Sequence, residues 1–393
     1  MVHPPRRFGV VFAAALGWSS AAHAVPAGPS PICPSAHPEL ARGFALTGWF
    51  DGPVSRPPDL AVLKALRDRG MAHIRLPVTA ESVMTRFTTA AEVEKRRRAV
   101  EAAIDTLTGL GYGVVVDLHG AERLDALFHK DPEAAREAVI QAWSVLGPGV
   151  ERRAAKKVLA EVLNEPPLPD AAWVAMQAKI VAAMRKTMPK TTLVVSTGGP
   201  QRTERLTAAT PIADANTVYA VHYYDPMVFT HQGAEWIRPN PIGWLTGVPY
   251  PIRPFDSRMA ALSAKLRSAG LKAVADYVDG LAARSFGPTD IQREIKAIGD
   301  WSRAHGRQVV IGEFGVYRPH ASPSHRTAWL AAVTAAAKAN CVGWTHWEYR
   351  DGFGLADGKT GKPDEATLVG LTGLAPASAT AAGQAADTAA GEP

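Results

Sequence analysis

The chain has 393 residues, 47% of them hydrophobic and 20% charged, which is enough apolar material for a sizeable core. Its formal net charge of +6 is a mild excess. No basic run interleaved with aromatics suits it to nucleic acid, and the charge allows at most a weak attraction to acidic polysaccharide or a cell surface.

In chain order, residues 1–24 read as an export signal. Arg6 and Arg7 give the positive start, 8–18 the apolar stretch, and Ala22-His23-Ala24 the cleavage site. The stretch is too short to span a bilayer and no later one looks transmembrane, so a periplasmic or extracellular protein is expected. Both Sec and twin-arginine export stay open. Residues 25–40, rich in Pro, Ala and Ser, read as a linker. Strands then alternate with helices. The strands are expected at 43–48, 73–77, 113–119, 158–166, 192–196, 217–222, 309–315 and 342–347. Helices are expected at 59–69, 91–110, 132–146, 170–188, 290–305 and 324–339, with Asp170 as an N-cap. Eight β-then-α units are the pattern of an α/β (β/α)8 barrel over 41–374. The connection 223–289 is too long for an ordinary βα loop and carries helical stretches at 259–267 and 274–283. Because it follows the sixth strand, it should wall the active face. The tail 375–393 has no periodic apolar face and reads as disordered.

The chemistry concentrates at two strand ends. VLAEVLNEP ends in Asn164-Glu165-Pro166, and Pro166 should stop the strand while holding Glu165 extended. The second run, VVIGEFG, ends on Glu313. In a parallel barrel, residues at the C-terminal strand ends do the chemistry. Two such carboxylates are what glycoside hydrolysis needs. A lone glutamate after a strand is as often a solvated loop residue, so the pair carries the argument. No paired-histidine spacing suggests a metal, and this chemistry needs no cofactor. GLADGKT, 354–360, has three residues between its glycines where a phosphate loop has four, and reads as a turn.

Further motifs fall on successive strand ends: Arg75 in HIRLPV, His119 in VVVDLHG, His222 and Tyr224 in VHYYDP, and Trp347 in GWTHWEY. Together with NEP and IGEFG they resemble glycoside hydrolase family 5, the cellulase family, over residues 43–353. The resemblance implies a secreted retaining endo-β-glycosidase on β-linked glucan, with Glu165 as acid/base and Glu313 as nucleophile. It leaves open β-mannan or a bacterial exopolysaccharide as substrate, and transglycosylation as outcome; a carbohydrate-binding protein without activity is the reading from another class. Arg75 should sit beside Glu313, or pair with Glu161 inside the barrel. Tyr224 should donate to the nucleophile and Asn164 should meet the sugar 2-hydroxyl. The resemblance places His119 and His222 around the sugar and Trp347 under it. Trp49, Trp236, Trp244, Tyr349 and Phe353 are candidates for outer subsites, with core packing as the competing reading. The implied partner is a polysaccharide or oligosaccharide, and a monomer is expected. For Cys33 and Cys341 two readings stand, a disulfide or two buried thiols.

Overall fold

The computed structural model describes residues 36–358 and 360–374. The expected leader, the tail and Cys33 lie outside them. Eight parallel strands close in sequence order into one barrel. They are β1 (Gly43–Ala45), β2 (His73–Thr79), β3 (Gly113–His119), β4 (Val158–Glu161), β5 (Leu193–Ser196), β6 (Thr217–Tyr223), β7 (Val309–Phe314) and β8 (Gly343–His346). β8 pairs with β1 through Thr345 and Gly43, so no edge is left open. This is the (β/α)8 architecture that the alternation of strands and helices implied.

Strand period places the site. Along β3, Val115, Asp117 and His119 share one face, as do Val218, Ala220 and His222 along β6. The lower members, with Leu40, Leu159, Val194 and Val310, form a small apolar core inside the barrel. The upper members are polar. The inner face therefore runs from a dry floor to a charged rim. Leu40 belongs to Pro38–Ala41, a 3-10 turn within the stretch read as linker. Glu39 O of that turn hydrogen-bonds His73 Nδ1 at 3.0 Å, which seats the turn under the barrel.

The outer helices bury their apolar sides against the strands, with Trp143, Trp173 and Trp329 fully enclosed. Four short helices were not legible in the sequence: Glu122–Lys130, Thr203–Thr207, Met227–Thr230 and Glu365–Thr372. Each is under ten residues, too short for periodicity to stand out. The expected cap at Asp170 is also corrected. Pro169 is the N-cap, and Asp170 Oδ1 accepts from Gly198 N at 3.0 Å, tying the helix Asp170–Met184 to the loop after β5.

The connection after β6 holds the helices Ser257–Ser268 and Lys272–Asp279 and several tight turns. It forms a wall on the C-terminal side of the barrel. Cys341, just before β8, is disulfide-bonded, and Cys33, its expected partner, lies outside the described residues. Among the described residues, no helix is long and apolar enough to cross a membrane.

Candidate active site

A cleft of about 500 Å³ opens at the C-terminal ends of the strands. It is lined by His119, Asn164, Glu165, Tyr224, Glu313 and Trp347 from the strand ends, with His231, Trp236, Tyr317, Glu348, Asp351, Gly352 and Phe353 around them. One carboxylate oxygen each from Glu165 and Glu313, and a ring nitrogen of His222, lie within 4.8 Å of one another. The two acids that the strand ends singled out therefore converge on one gap.

Glu165 reaches this position differently from the expectation. β4 stops at Glu161, five residues short of the expected end at Pro166, and Glu165 has φ +38°. Pro166 therefore does not hold Glu165 extended. A positive φ on a residue with a β-carbon is costly and needs outside support. Gln201 supplies it, its Oε1 accepting from Glu165 N at 2.9 Å, while Asn164 N bonds to Leu118 O at 3.0 Å.

Glu313 depends on a bulge. β6 and β7 pair Val221 with Ile311 but His222 with Glu313, so Gly312 is an extra residue. Simple alternation from Val310, which faces the inner core, would turn Glu313 outward and Phe314 inward. The extra residue reverses this. Phe314 packs outside against Trp344 and Trp329, and Glu313 faces the cleft. A β-carbon at Gly312 would stand 3.4–3.6 Å from Ala220 Cβ and the His222 ring, which is ordinary contact.

The two acids have unlike surroundings. Glu313 is buried, accepting from Arg75 Nη1 at 2.7 Å and from Tyr224 Oη at 3.0 Å. Glu165 keeps two-fifths of its side chain in solvent, with His222 Nδ1 2.8 Å from its Oε1. Burial alone would raise the Glu165 carboxyl, but the His222 hydrogen bond and charge outweigh it and hold it below the ordinary value. Burial pulls the His222 ring down; the charge of Glu313 and the bond to Glu165 outweigh that and lift it.

Arg75 sits beneath both acids and is 1% exposed. It bonds Glu161 through Nε (2.7 Å) and Nη2 (3.0 Å), Glu313 through Nη1, and Asn164 Oδ1 through Nη2 at 2.8 Å, with Asp117 at 3.1 Å. Both sequence alternatives for Arg75, beside Glu313 and paired with Glu161, hold at once. Its expected place among the substrate-binding residues is corrected: the guanidinium is sealed below the cleft by the groups it bonds. Asn164 spends its oxygen on Arg75 and turns its amide nitrogen to His119. Asp117 Oδ2 also takes His119 Nδ1 at 2.8 Å. Burial opposes a charge on His119, but Asp117 prevails and pushes the ring up to about 9. Asn164 Nδ2 lies 3.3 Å from His119 Nε2, a contact that favours the neutral ring. The shorter, charge-assisted bond to Asp117 decides for the cation.

Other expected residues divide. Trp347 lines the cleft and stacks on His119 at 5.9 Å between ring centres. Trp236 lines it too, 59% exposed and edge-on to Tyr317. His222 stands behind the acids rather than on the lining. Trp49 stacks on Phe50 and is not among the lining residues, and Tyr349 is buried on Phe44. Trp244 lies under Arg238, 4.1 Å from its ring centre. For Tyr349 core packing won, its ring stacking on Phe44. Tyr317, Glu348 and Asp351 were not anticipated. Glu348 had a readable signal, an acid at the end of the last strand. Burial raises its carboxyl to about 7, the Thr47 hydrogen bond opposing.

Glu165, His222 and Glu313 also form a set that could hold a metal. Their donor atoms are already engaged: His222 Nδ1 on Glu165, and Glu313 on Arg75 and Tyr224. A guanidinium 2.7 Å from a would-be ligand repels a cation, so the set does not fit a metal.

Comparison with known proteins agrees with this geometry. Residues 37–350 match the model of the cellulase family, glycosyl hydrolase family 5. The chain belongs to glycosyl hydrolase family 5. Endoglucanase 3 of Fibrobacter succinogenes is 21% identical over 359 residues, which cover 84% of this chain and 52% of that protein. The chain thus spans about half the length of the curated relatives it matches. Two solved structures superpose well. A hyperthermophilic endo-beta-1,4-glucanase in complex with substrate has a TM-score of 0.69 at 20% identity, over 86% of this chain and 98% of that one. Endoglucanase Cel5A of Thermotoga maritima has 0.67 at 22%, over 85% and 97%.

Proposed function

We propose that this family 5 chain is a retaining endo-β-glycosidase that hydrolyses β-linked glucan outside the cytoplasm. The observation that carries the reading is the gap under 4.8 Å between oxygens of Glu165 and Glu313. Retaining enzymes hold their carboxyls roughly 5–5.5 Å apart, whereas inverting ones leave about 6.5–9.5 Å for a water. In the first step a Glu313 oxygen attacks the anomeric carbon while Glu165 gives its proton to the departing glycosidic oxygen. In the second, Glu165 takes a proton from water as that water displaces Glu313. Glu313 suits the nucleophile role because hydrogen bonds from Arg75 and Tyr224 hold and orient its carboxylate oxygens. Glu165 suits the proton carrier because it shares a proton with His222 and faces solvent. Trp347 offers a flat apolar face for a pyranose ring. The relatives named endoglucanases favour glucan as the substrate. The leader expected over 1–24 and the disulfide at Cys341 favour an exported protein.

The test is a panel of β-glucans and β-mannans with the products sized by chromatography. Internal cleavage of a β-glucan with retained anomeric configuration is the expected result. Glu165→Gln and Glu313→Gln should each lower kcat by at least about a thousandfold while polysaccharide retention persists. Wild-type turnover in both variants would end the enzymatic reading.

A further inference from the structure

Beside the cleft lies a second recess of about 440 Å³, lined by Arg318, Arg326 and Arg350 together with Asp351 and Asp364. Asp351 and Gly352 line both it and the cleft, so the two are continuous along one rim. The charges within the recess do not cancel. Asp351 is taken by Arg56 through two bonds, at 2.9 and 2.5 Å. Asp364 turns its Oδ1 to Thr367 N as a helix cap, and its Oδ2 stays 3.8 Å from Arg326.

Arg326 is 4% exposed. It bonds the carbonyls of Phe353 and Gly354 through Nη2, and Arg318 bonds those of Gly354 and Ala356. These contacts anchor the loop after β8, which is the structural use of the two arginines. They do not account for everything. Carbonyls carry no charge to balance a guanidinium, and the Nε atoms of Arg326 and Arg350 are buried without a partner among the described residues. A buried donor with nothing to bond is costly and asks for an acceptor. Burial lowers the Arg326 guanidinium to about 10, and the field of Arg326 and Arg318 adds to the burial that keeps His346 neutral.

We propose that this recess binds a carboxylate carried by the polysaccharide itself, so that the enzyme prefers glucan chains bearing acidic groups. The preference rests on the glycosidase reading above. A planar carboxylate matches the guanidinium fork, and continuity with the cleft favours a group attached to the chain lying there over a free anion.

Affinity electrophoresis of the full chain tests it in gels containing carboxymethyl-cellulose or the neutral hydroxyethyl-cellulose. Arg350→Gln and Arg318→Gln should each weaken retention by carboxymethyl-cellulose about tenfold, the loss expected for one charge-assisted hydrogen bond. Retention by hydroxyethyl-cellulose should stay within about twofold, and Arg350→Lys should recover part of the loss. Arg98→Gln, on an exposed helix face, is the control for bulk charge and should change neither. Equal losses on both polymers, or an equal effect of Arg98→Gln, would overturn the proposal. So would inorganic phosphate that alters turnover of the neutral polymer in wild type but not in Arg350→Gln, since the recess would then serve a free anion. Because retention is read without turnover, a chain that cleaves neither polymer yet keeps this pattern would sink the glycosidase reading alone.

Discussion

Arg75 gathers Glu161, Asp117, Asn164 and Glu313 around one guanidinium, so the orientation of the nucleophile candidate is set from below. The acid on the other side of the gap is governed by His222 instead. Glu165 and His222 are 2.8 Å apart with opposite displacements, the carboxyl down and the imidazole up. The two therefore titrate as a pair, and the state able to protonate a leaving group holds one proton between them. That proton is lost only when pH passes the raised value of His222, above its ordinary 6.5. His222→Gln leaves Glu165 alone, without the cation that depressed it and with burial that raises it. The alkaline limb of kcat/KM should then fall to that of a single carboxyl, at lower pH than in wild type. A pH profile of both proteins checks this; a limb that stays in place or moves upward would refute the shared proton.

At the level of elements, the site is held by places where regular strands stop being regular. Gly312 is the extra residue that turns Glu313 inward. Glu165 takes its position on a left-handed residue beyond the end of β4. Gly315, just after β7, is another such place. A β-carbon there would stand 2.2 Å from Trp347 O and 3.1 Å from the Phe353 ring. Gly315→Ala must push the segment after β8 away from β7, which moves Trp347 and Phe353 out of the cleft wall. Overpacking of this kind costs about 1–3 kcal/mol. The expected result is a lower Tm together with a raised KM, read by thermal denaturation and steady-state kinetics. An unchanged KM would show that the wall does not hold the sugar. At this scale the sequence was a good guide to existence and a poor one to detail. All eight strands lie where apolar and β-branched runs placed them, because such runs bury on both faces. The ends of the strands were less legible. β4 looked continuous to Pro166 because Val162 and Leu163 are apolar, yet the regular strand ends at Glu161 and only single backbone bonds, Val162 N to Val194 O and Asn164 N to Leu118 O, continue beyond it.

For the whole molecule, the disulfide at Cys341 sits just before the strand that closes the barrel. A crosslink between distant chain positions restricts the unfolded chain most, with typical effects of about 2–4 kcal/mol. Cys341→Ser should lower Tm by several degrees, and a reducing agent should lower the wild-type Tm equally while leaving the variant unmoved. Thermal scans of both proteins with and without reductant test this.

The order of strands and helices and the acids at two strand ends were readable from residues 43–347 alone, because alternation and helical spacing are local properties of the chain. Closure brought in the rest. The turn of Glu313 depends on a register shift against β6, and the choice of Trp347 over Tyr349 and Trp49 for the cleft depends on how the segments beyond β8 and β1 pack. The fourfold grip of Arg75 and the arrival of Tyr317 and Asp351 need contacts between segments tens to hundreds of residues apart. Such pairings are set by packing in three dimensions, to which no local pattern of the chain is sensitive.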